Sequence, residues 1–340
     1  MSVLLLAAAT LLAQNPPGDR PQRPRRDPPP ATVELKNFMF QEATFASAAV
    51  GKDMQYGVYL PKGYDEAANK DTKWPLVIWL HGMFEDHMRF HGRGGAPVLD
   101  KAVTDSLLPP CVFVLADGGR TSMYINAGDK KNYQDLVQKD LLEHVTKTYR
   151  VSSERGLRAL MGISLGGMAS LRIGFTHPEL FGTIAGHSSA VFPADPKQLS
   201  PRVLQNASRF GLDEVFGSPI DEKLWRATNP MGLAEVLDPQ TLDGLRLYFD
   251  AGTADDRGFG PPNKLLHEVL EKQKVPHTWQ YVQGGGHAWG SGFKDESLLA
   301  SLKFVGDGFR AATAGSKGGT AKGSDAGKGA PAKKDDGGGR

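Results

Sequence analysis

Between residues 54 and 310, short apolar runs alternate with longer amphipathic stretches. Residues 54–60, 75–80, 111–116, 156–161, 182–185, 245–250 and 279–282 read as strands. Several are near-continuous apolar runs, as expected of strands covered on both faces. The stretches between them carry helical spacing. In 133–149, Leu136, Val137, Leu141, Leu142 and Val145 recur every three or four positions and make one apolar stripe. Residues 165–175, 264–272 and 298–309 behave in the same way. This alternation predicts an α/β fold: one domain with a mostly parallel central sheet flanked by helices and a more antiparallel start near 33–60. No internal repeat is present.

Four stretches break the rhythm. Residues 192–236 contain five prolines, at 193, 196, 201, 219 and 230, and only short helical patterns. Such an insertion at the carboxyl edge of a sheet reads either as a lid or pocket wall or as an irregular surface excursion. Residues 1–13 form an apolar run that is too short for a membrane span and suits a signal peptide, although no Lys or Arg precedes it. A secreted or periplasmic protein is the resulting expectation. Residues 14–31 form a Pro/Arg-rich linker, and residues 314–340 a Gly/Lys-rich tail with no branched apolar or aromatic side chain, which predicts disorder. The folded domain is therefore expected over 32–313.

The net charge of +2 is misleading until it is divided along the chain. The linker holds four Arg and two Asp, and the tail holds five Lys, one Arg and three Asp, which leaves the 32–313 body at −3. An acidic body argues against nucleic-acid binding. The single cysteine, Cys111, excludes an internal disulfide or a cysteine-based zinc knuckle.

The strongest chemical signal is Gly162-Ile163-Ser164-Leu165-Gly166, directly after a strand and directly before a helix. A serine on such a sharp turn exposes its Oγ, and glycines flank it because side chains there would strike neighbouring backbone. A serine nucleophile needs a base. His287, on a Gly-rich loop after the last strand, is the best placed of nine histidines. An orienting carboxylate is expected after the 245–250 strand, where Asp255 and Asp256 both qualify and spacing alone does not choose. The order Ser164, acid, His287 is that of an α/β-hydrolase, whereas chymotrypsin-like and subtilisin-like chains use other orders. The oxyanion donors are expected to be the backbone N–H of Leu165 and, from the loop after residue 80, that of Met83. His81, Tyr124, His187, Trp225 and Trp289 are candidates for substrate contact. His81, His87 and His91 offer a weak metal hook near Glu85 and Asp86. The sequence contains no H-E-x-x-H motif, so neither a metal nor any other cofactor is expected.

The chain resembles the putative-esterase family of α/β-hydrolases, which includes esterase D-type enzymes, feruloyl and acetyl esterases and mycolyltransferases. The resemblance rests on LHGMFEDH (80–87), YQDLVQKDLLEHVTKTYRV (133–151), LMGISLGGMASLRIGFTHPELFG (160–182), NPMGLAEVL (229–237), LYFDAGTADD (247–256) and GGGHAWG (284–290). It implies a serine esterase without a cofactor, acting on a small-molecule or polysaccharide ester such as an acetyl or feruloyl ester. In that family the acid follows a glycine by three positions, which transfers to Gly252 and favours Asp255. The resemblance also supports Met83 and Leu165 as oxyanion donors. Two departures stand out: His187-Ser188-Ser189 replaces a small Ser-Gly pattern, and Gln134 replaces a frequent acidic residue. Two rivals share the fold, namely an acyltransferase using the same triad and a secreted, non-catalytic binding module.

Overall fold

The computed structural model describes residues 34–287 and 295–319. The expected leader, the linker, Trp289 and most of the tail lie outside these residues. Eight strands form one sheet: β1 (Phe38–Ser47), β2 (Lys52–Pro61), β3 (Leu76–Leu80), β4 (Val112–Ala116), β5 (Arg158–Ile163), β6 (Thr183–His187), β7 (Arg246–Gly252) and β8 (Thr278–Val282). Their spatial order is β1-β2-β4-β3-β5-β6-β7-β8. β1 pairs antiparallel with β2, and β2 antiparallel with β4, as the sequence led us to expect of the early part of the chain. From β4 through β8 every pairing is parallel.

Strand periodicity explains the two cores. Leu76, Ile78 and Leu80 of β3 point to one face of the sheet and Val77 and Trp79 to the other, and all five are buried. The first face is covered by α2 (133–148), α3 (Leu165–Thr176) and α4 (Gly260–Lys272). The second is covered by α1 (Gly95–Thr104) and α5 (Asp295–Gly319). Each fully buried Leu, Ile, Val or Phe contributes about 1.5–3 kcal/mol, so these two layers dominate stability. The stripe expected on α2 is buried, but its turns widen into a π-helix over Leu136–Leu141. Asp140, on this wide turn, accepts from Ser47 Oγ at 2.6 Å and Ala49 N at 2.9 Å and so ties α2 to the β1–β2 hairpin. The last helix runs to Gly319, past the boundary expected at 313.

The insertion at 192–236 packs as a third cluster. Leu199, Leu212, Val215, Phe216 and Trp225 bury against Leu165 and Met168 of α3. Capping side chains set its short helices: Ser200 accepts from Val203 N, Asp221 from Lys223 N and Leu224 N, and Asn229 from Met231 N. Among the described residues, no helix is long and apolar enough to cross a membrane.

Candidate active site

Parallel register brings the chemistry to one edge of the sheet. Leu80 lies opposite Gly162, Ile163 opposite His187, His187 opposite Asp250 and Gly252 opposite Val282, so the loops after β3, β5, β6, β7 and β8 emerge together. Open α/β sheets bind ligands at this carboxyl edge.

Ser164 occupies the turn between β5 and α3 with φ 56° and ψ −116°, a conformation that side-chain-bearing residues rarely adopt. The surrounding backbone holds it there. Ser164 N–H donates to His187 O at 2.9 Å, and Ser164 O accepts from Ala190 N at 2.9 Å and Met168 N at 3.0 Å. A Cβ on Gly162 would sit 2.4 Å from the Gly166 carbonyl carbon, and one on Gly166 would sit 2.1 Å from Leu80 O. Both glycines are therefore sterically required, as the motif implies.

The loops after β7 and β8 are locked to each other. Thr253 N–H donates to Val282 O at 3.0 Å, Ala254 N–H to Gly285 O at 2.8 Å and Gly284 N–H to Thr253 Oγ1 at 2.8 Å. A Cβ on Gly252 would lie 2.0 Å from Gly285 O. This clamp presents the His287 Nδ1 to the Asp255 Oδ2 at 3.0 Å, while Asp255 Oδ1 accepts from Arg257 N at 2.8 Å. The Asp255 side chain is 1% exposed, whereas that of Asp256 is 74% exposed and lies 3.9 Å from Arg257 Nε. The ambiguity left by spacing thus disappears in three dimensions: the carboxylate on the imidazole belongs to Asp255. With Nδ1–H committed to it, Nε2 is left as the basic nitrogen.

Two N–H groups flank the serine. Leu165 N heads α3, where no intrahelical acceptor exists and the helix dipole favours negative charge. Met83 N has no hydrogen-bond partner among the described residues. The peptide carrying it is held from both sides. Gly118 N–H donates to His81 Nε2 at 3.0 Å, so the proton sits on Nδ1, which donates to Gly82 O at 2.8 Å. Gly82 N–H donates to Glu85 Oε2 at 2.9 Å. Tyr124 OH donates to His81 O at 3.2 Å. Met123 and Tyr124 both have positive φ, and the buried Arg172 holds their carbonyls, with Nη1 3.3 Å from Met123 O and Nη2 bonded to Tyr124 O. Burial lowers the Arg172 pKa to about 9; its Nε donates to the Gln134 amide oxygen at 3.1 Å, where an acidic residue would have supplied a counter-charge.

Glu85 was not foreseen as part of the site. Burial pushes its carboxyl pKa up, but the Arg93 charge and hydrogen bond, the Gly82 N–H and the Arg89 charge together pull it below its ordinary value. Glu85→Gln leaves Arg93 without its counter-charge in a mostly buried position and should cost about 2 kcal/mol. Because the folded-state pKa is depressed, that stabilisation is complete above the ordinary glutamate range and is lost as pH falls through the lowered value. Urea unfolding of both proteins between pH 7 and about pH 3 should show the gap full at neutral pH and narrowing once the pH falls below the ordinary glutamate value of about 4.3.

Ser164, Leu165, Met83 and His287 line one cavity of about 260 Å³. Its apolar wall comes from Phe84, Phe192, Val203, Phe210 and Phe259, so the 192–236 insertion forms part of it. The other candidates for substrate contact are placed differently. His81 and Tyr124 are buried and brace the Gly82–Met83 peptide from behind. His187 is fully buried with Nδ1 2.8 Å from Asp250 Oδ2 and Nε2 3.0 Å from Ser301 Oγ. Trp225 is buried in the insertion, with Nε1 on Pro193 O at 2.9 Å and its ring against Phe192. None of these four lines the cavity; their bulk and polarity suit closed interior positions. The three histidines of the metal hook diverge: His81 bonds Gly118, His87 reaches Glu42 at 2.9 Å and His91 reaches Tyr59 OH at 2.9 Å.

Comparison with known proteins adds the lineage. A family model described as "Putative esterase" matches residues 47–303. The chain belongs to the putative-esterase family. An endo-1,4-beta-xylanase/feruloyl esterase of Xylanibacter ruminicola is 27% identical over 154 residues, covering 44% of this chain and 21% of that protein. An esterase of Mycobacterium tuberculosis is 25% identical over 264 residues, covering 71% of this chain and 54% of that protein. This chain therefore spans from about a fifth to about half of the length of these curated relatives. Among solved structures, a ferulic acid esterase superposes with a TM-score of 0.66 at 22% identity, over 81% of this chain and all of the other. A fluorophosphonate-binding serine hydrolase of Staphylococcus aureus gives 0.65 at 16% identity, over 79% of this chain and 98% of the other. Both likenesses place the fold of this esterase-family chain among α/β-hydrolases.

Proposed function

We propose that the protein is a serine carboxylic ester hydrolase that works through an acyl-serine intermediate. One observation carries this reading: a buried carboxylate fixes the tautomer of a histidine that shares a cavity with a strained serine. In the proposed cycle, Ser164 Oγ attacks the ester carbonyl carbon and His287 Nε2 takes its proton. Leu165 N–H and Met83 N–H hold the resulting oxyanion. The protonated His287 gives its proton to the leaving alcohol as the C–O bond breaks, and water, activated by the same imidazole, hydrolyses the acyl-serine. Asp255 stays ionised and stabilises the imidazolium. Each oxyanion donor is worth about 2.7–4 kcal/mol in comparable chemistry. The family and its feruloyl esterase relatives support acetyl or feruloyl esters of carbohydrates as substrates, and the phenylalanine wall suits an aromatic acyl group.

The test combines turnover with covalent trapping. Short-chain 4-nitrophenyl esters and methyl ferulate should be hydrolysed, and an alkyl fluorophosphonate should stop that hydrolysis with one adduct on the peptide containing Ser164. Turnover that persists while Ser164 is fully labelled would remove the mechanism.

A further inference from the structure

Three guanidinium groups line the same cavity, those of Arg93, Arg202 and Arg257, against a single carboxylate, Glu85. Arg93 is neutralised by Glu85, and Glu85 is further occupied by Arg89 at 3.4 Å and by Gly82 N–H. Arg202 and Arg257 are not committed in this way. Arg202 forms no ion pair among the described residues. The Arg257 guanidinium makes one loose ion pair, with Asp256 at 3.9 Å, which is beyond hydrogen-bond length and on the exposed surface. A fourth arginine, Arg209, sits 5.8 Å over the Phe84 ring, itself part of the cavity wall. The mouth is therefore basic on a body whose formal charge is −3.

These two arginines come from unrelated parts of the chain, Arg202 from the insertion and Arg257 from the loop that carries the catalytic acid. Both side chains are solvent-exposed where they line this aromatic-walled cavity, so a charge interaction there is partly screened. A guanidinium matches a carboxylate with paired N–H donors, and a cavity with a surplus of such forks selects an anionic ligand. Resting on the serine-hydrolase reading, we infer that the physiological substrate is an ester bearing a free carboxylate, held by Arg202 and Arg257 while Ser164 attacks the ester carbonyl. The carboxylate belongs either to the acyl half, as in a monoester of a dicarboxylic acid, or to the alcohol half, as in an ester of a hydroxy acid or uronic acid.

Matched ester pairs distinguish these sources. For the acyl half the pair is mono-4-nitrophenyl adipate and its methyl ester; for the alcohol half it is 4-acetoxybenzoate and methyl 4-acetoxybenzoate. The readout is the ratio of kcat/KM for the acid to that for its methyl ester. In one pair the ratio should reach about tenfold at low ionic strength and shrink in 0.5 M KCl, as for a charge contact in partial solvent. It should fall to about one or lower in the Arg202→Gln/Arg257→Gln double variant. It should be retained in Arg202→Lys/Arg257→Lys, which keeps both charges, and in Lys303→Gln, a charge change on α5. A wild-type ratio of one or less in both pairs, or a ratio the double variant leaves intact, overturns the anion site while the esterase reading stands. No turnover of any of the four esters overturns that reading and the inference with it.

Discussion

Ser164→Ala should lower kcat on a short-chain aryl ester by about 10⁵-fold or more, with little change in thermal stability. The residual rate comes from the oxyanion donors and from binding, both of which survive the change, since Leu165 N and Met83 N belong to the backbone. Asp255→Asn should lower kcat by about 10⁴-fold for a different reason. The amide keeps the shape of the carboxylate but presents an N–H₂ where His287 Nδ1–H needs an acceptor. The imidazole then turns its lone pair to the wrong side and loses the charge that stabilises its protonated form. Adding Asp255→Asn to Ser164→Ala should produce almost no further loss, because the three groups act as a unit. Asp256→Asn should leave kcat within about twofold, since its side chain is exposed and away from the imidazole. Steady-state kinetics at known protein concentration reads all four, with active-site titration for the two that retain Ser164. Roughly additive losses, or equal effects of the two aspartate changes, would contradict the assigned roles.

The sheet and the loop residues that meet at its carboxyl edge were legible in the sequence for the same physical reason. Parallel strands are buried on both faces and write continuous apolar runs, and the loops at their carboxyl ends hold the odd residues: a serine between glycines, a histidine after three glycines, an aspartate after a glycine. Less of the remaining architecture was legible. Helix α1 opens at Gly94 with φ 78°, and its sequence, Gly-Ala-Pro-Val, reads as turn; its burial comes from packing beside α5, which lies far away in the chain. The 192–236 insertion read as a pocket wall or a surface excursion, but the individual wall residues Phe84, Phe192, Phe210 and Phe259 were not legible, because they are isolated aromatics in irregular segments with no periodicity to assign them a face. The same limit left His81, Tyr124, His187 and Trp225 open between substrate contact and ordinary packing. Residue type signalled that a polar or aromatic group had a task, but only the fold shows that these groups brace the interior. Glu85 escaped notice because its partners, Gly82 N–H and Arg93, meet it through loop geometry that no spacing encodes.

Asp250→Ala should cost about 3–5 kcal/mol of stability, and it separates the second Asp–His pair from the first. Asp250 is fully buried, and its Oδ2 collects three donors: His187 Nδ1 at 2.8 Å, Tyr248 OH at 3.0 Å and Ser297 Oγ at 2.5 Å. Burial, followed by the charge and hydrogen bond of Asp250, holds the Tyr248 phenol far above its ordinary pKa, so it remains a donor. Removing the carboxylate takes the acceptor from His187 Nδ1 and Ser297 Oγ in the buried interior, whereas Tyr248 OH keeps Gln280 Oε1 at 3.1 Å, and the cost follows from the desolvation of the two donors left without Asp250. Asp250→Asn should cost less, since one amide oxygen still accepts, but it puts an N–H₂ group into a site already crowded with donors. The network also joins distant elements: Ser297 and Ser301 lie on α5, His187 ends β6, and the His187 carbonyl accepts the Ser164 N–H. Its loss should therefore loosen α5 first. Hydrogen exchange should rise over 297–309 before it rises in β5, and kcat per titrated active site at low temperature should stay within about threefold of wild type. A collapse of kcat without a fall in unfolding free energy would instead give Asp250 a part in the chemistry. The opposite pattern is expected of Asp255→Asn, whose carboxylate faces a single imidazole at the cavity edge: rate lost, stability kept.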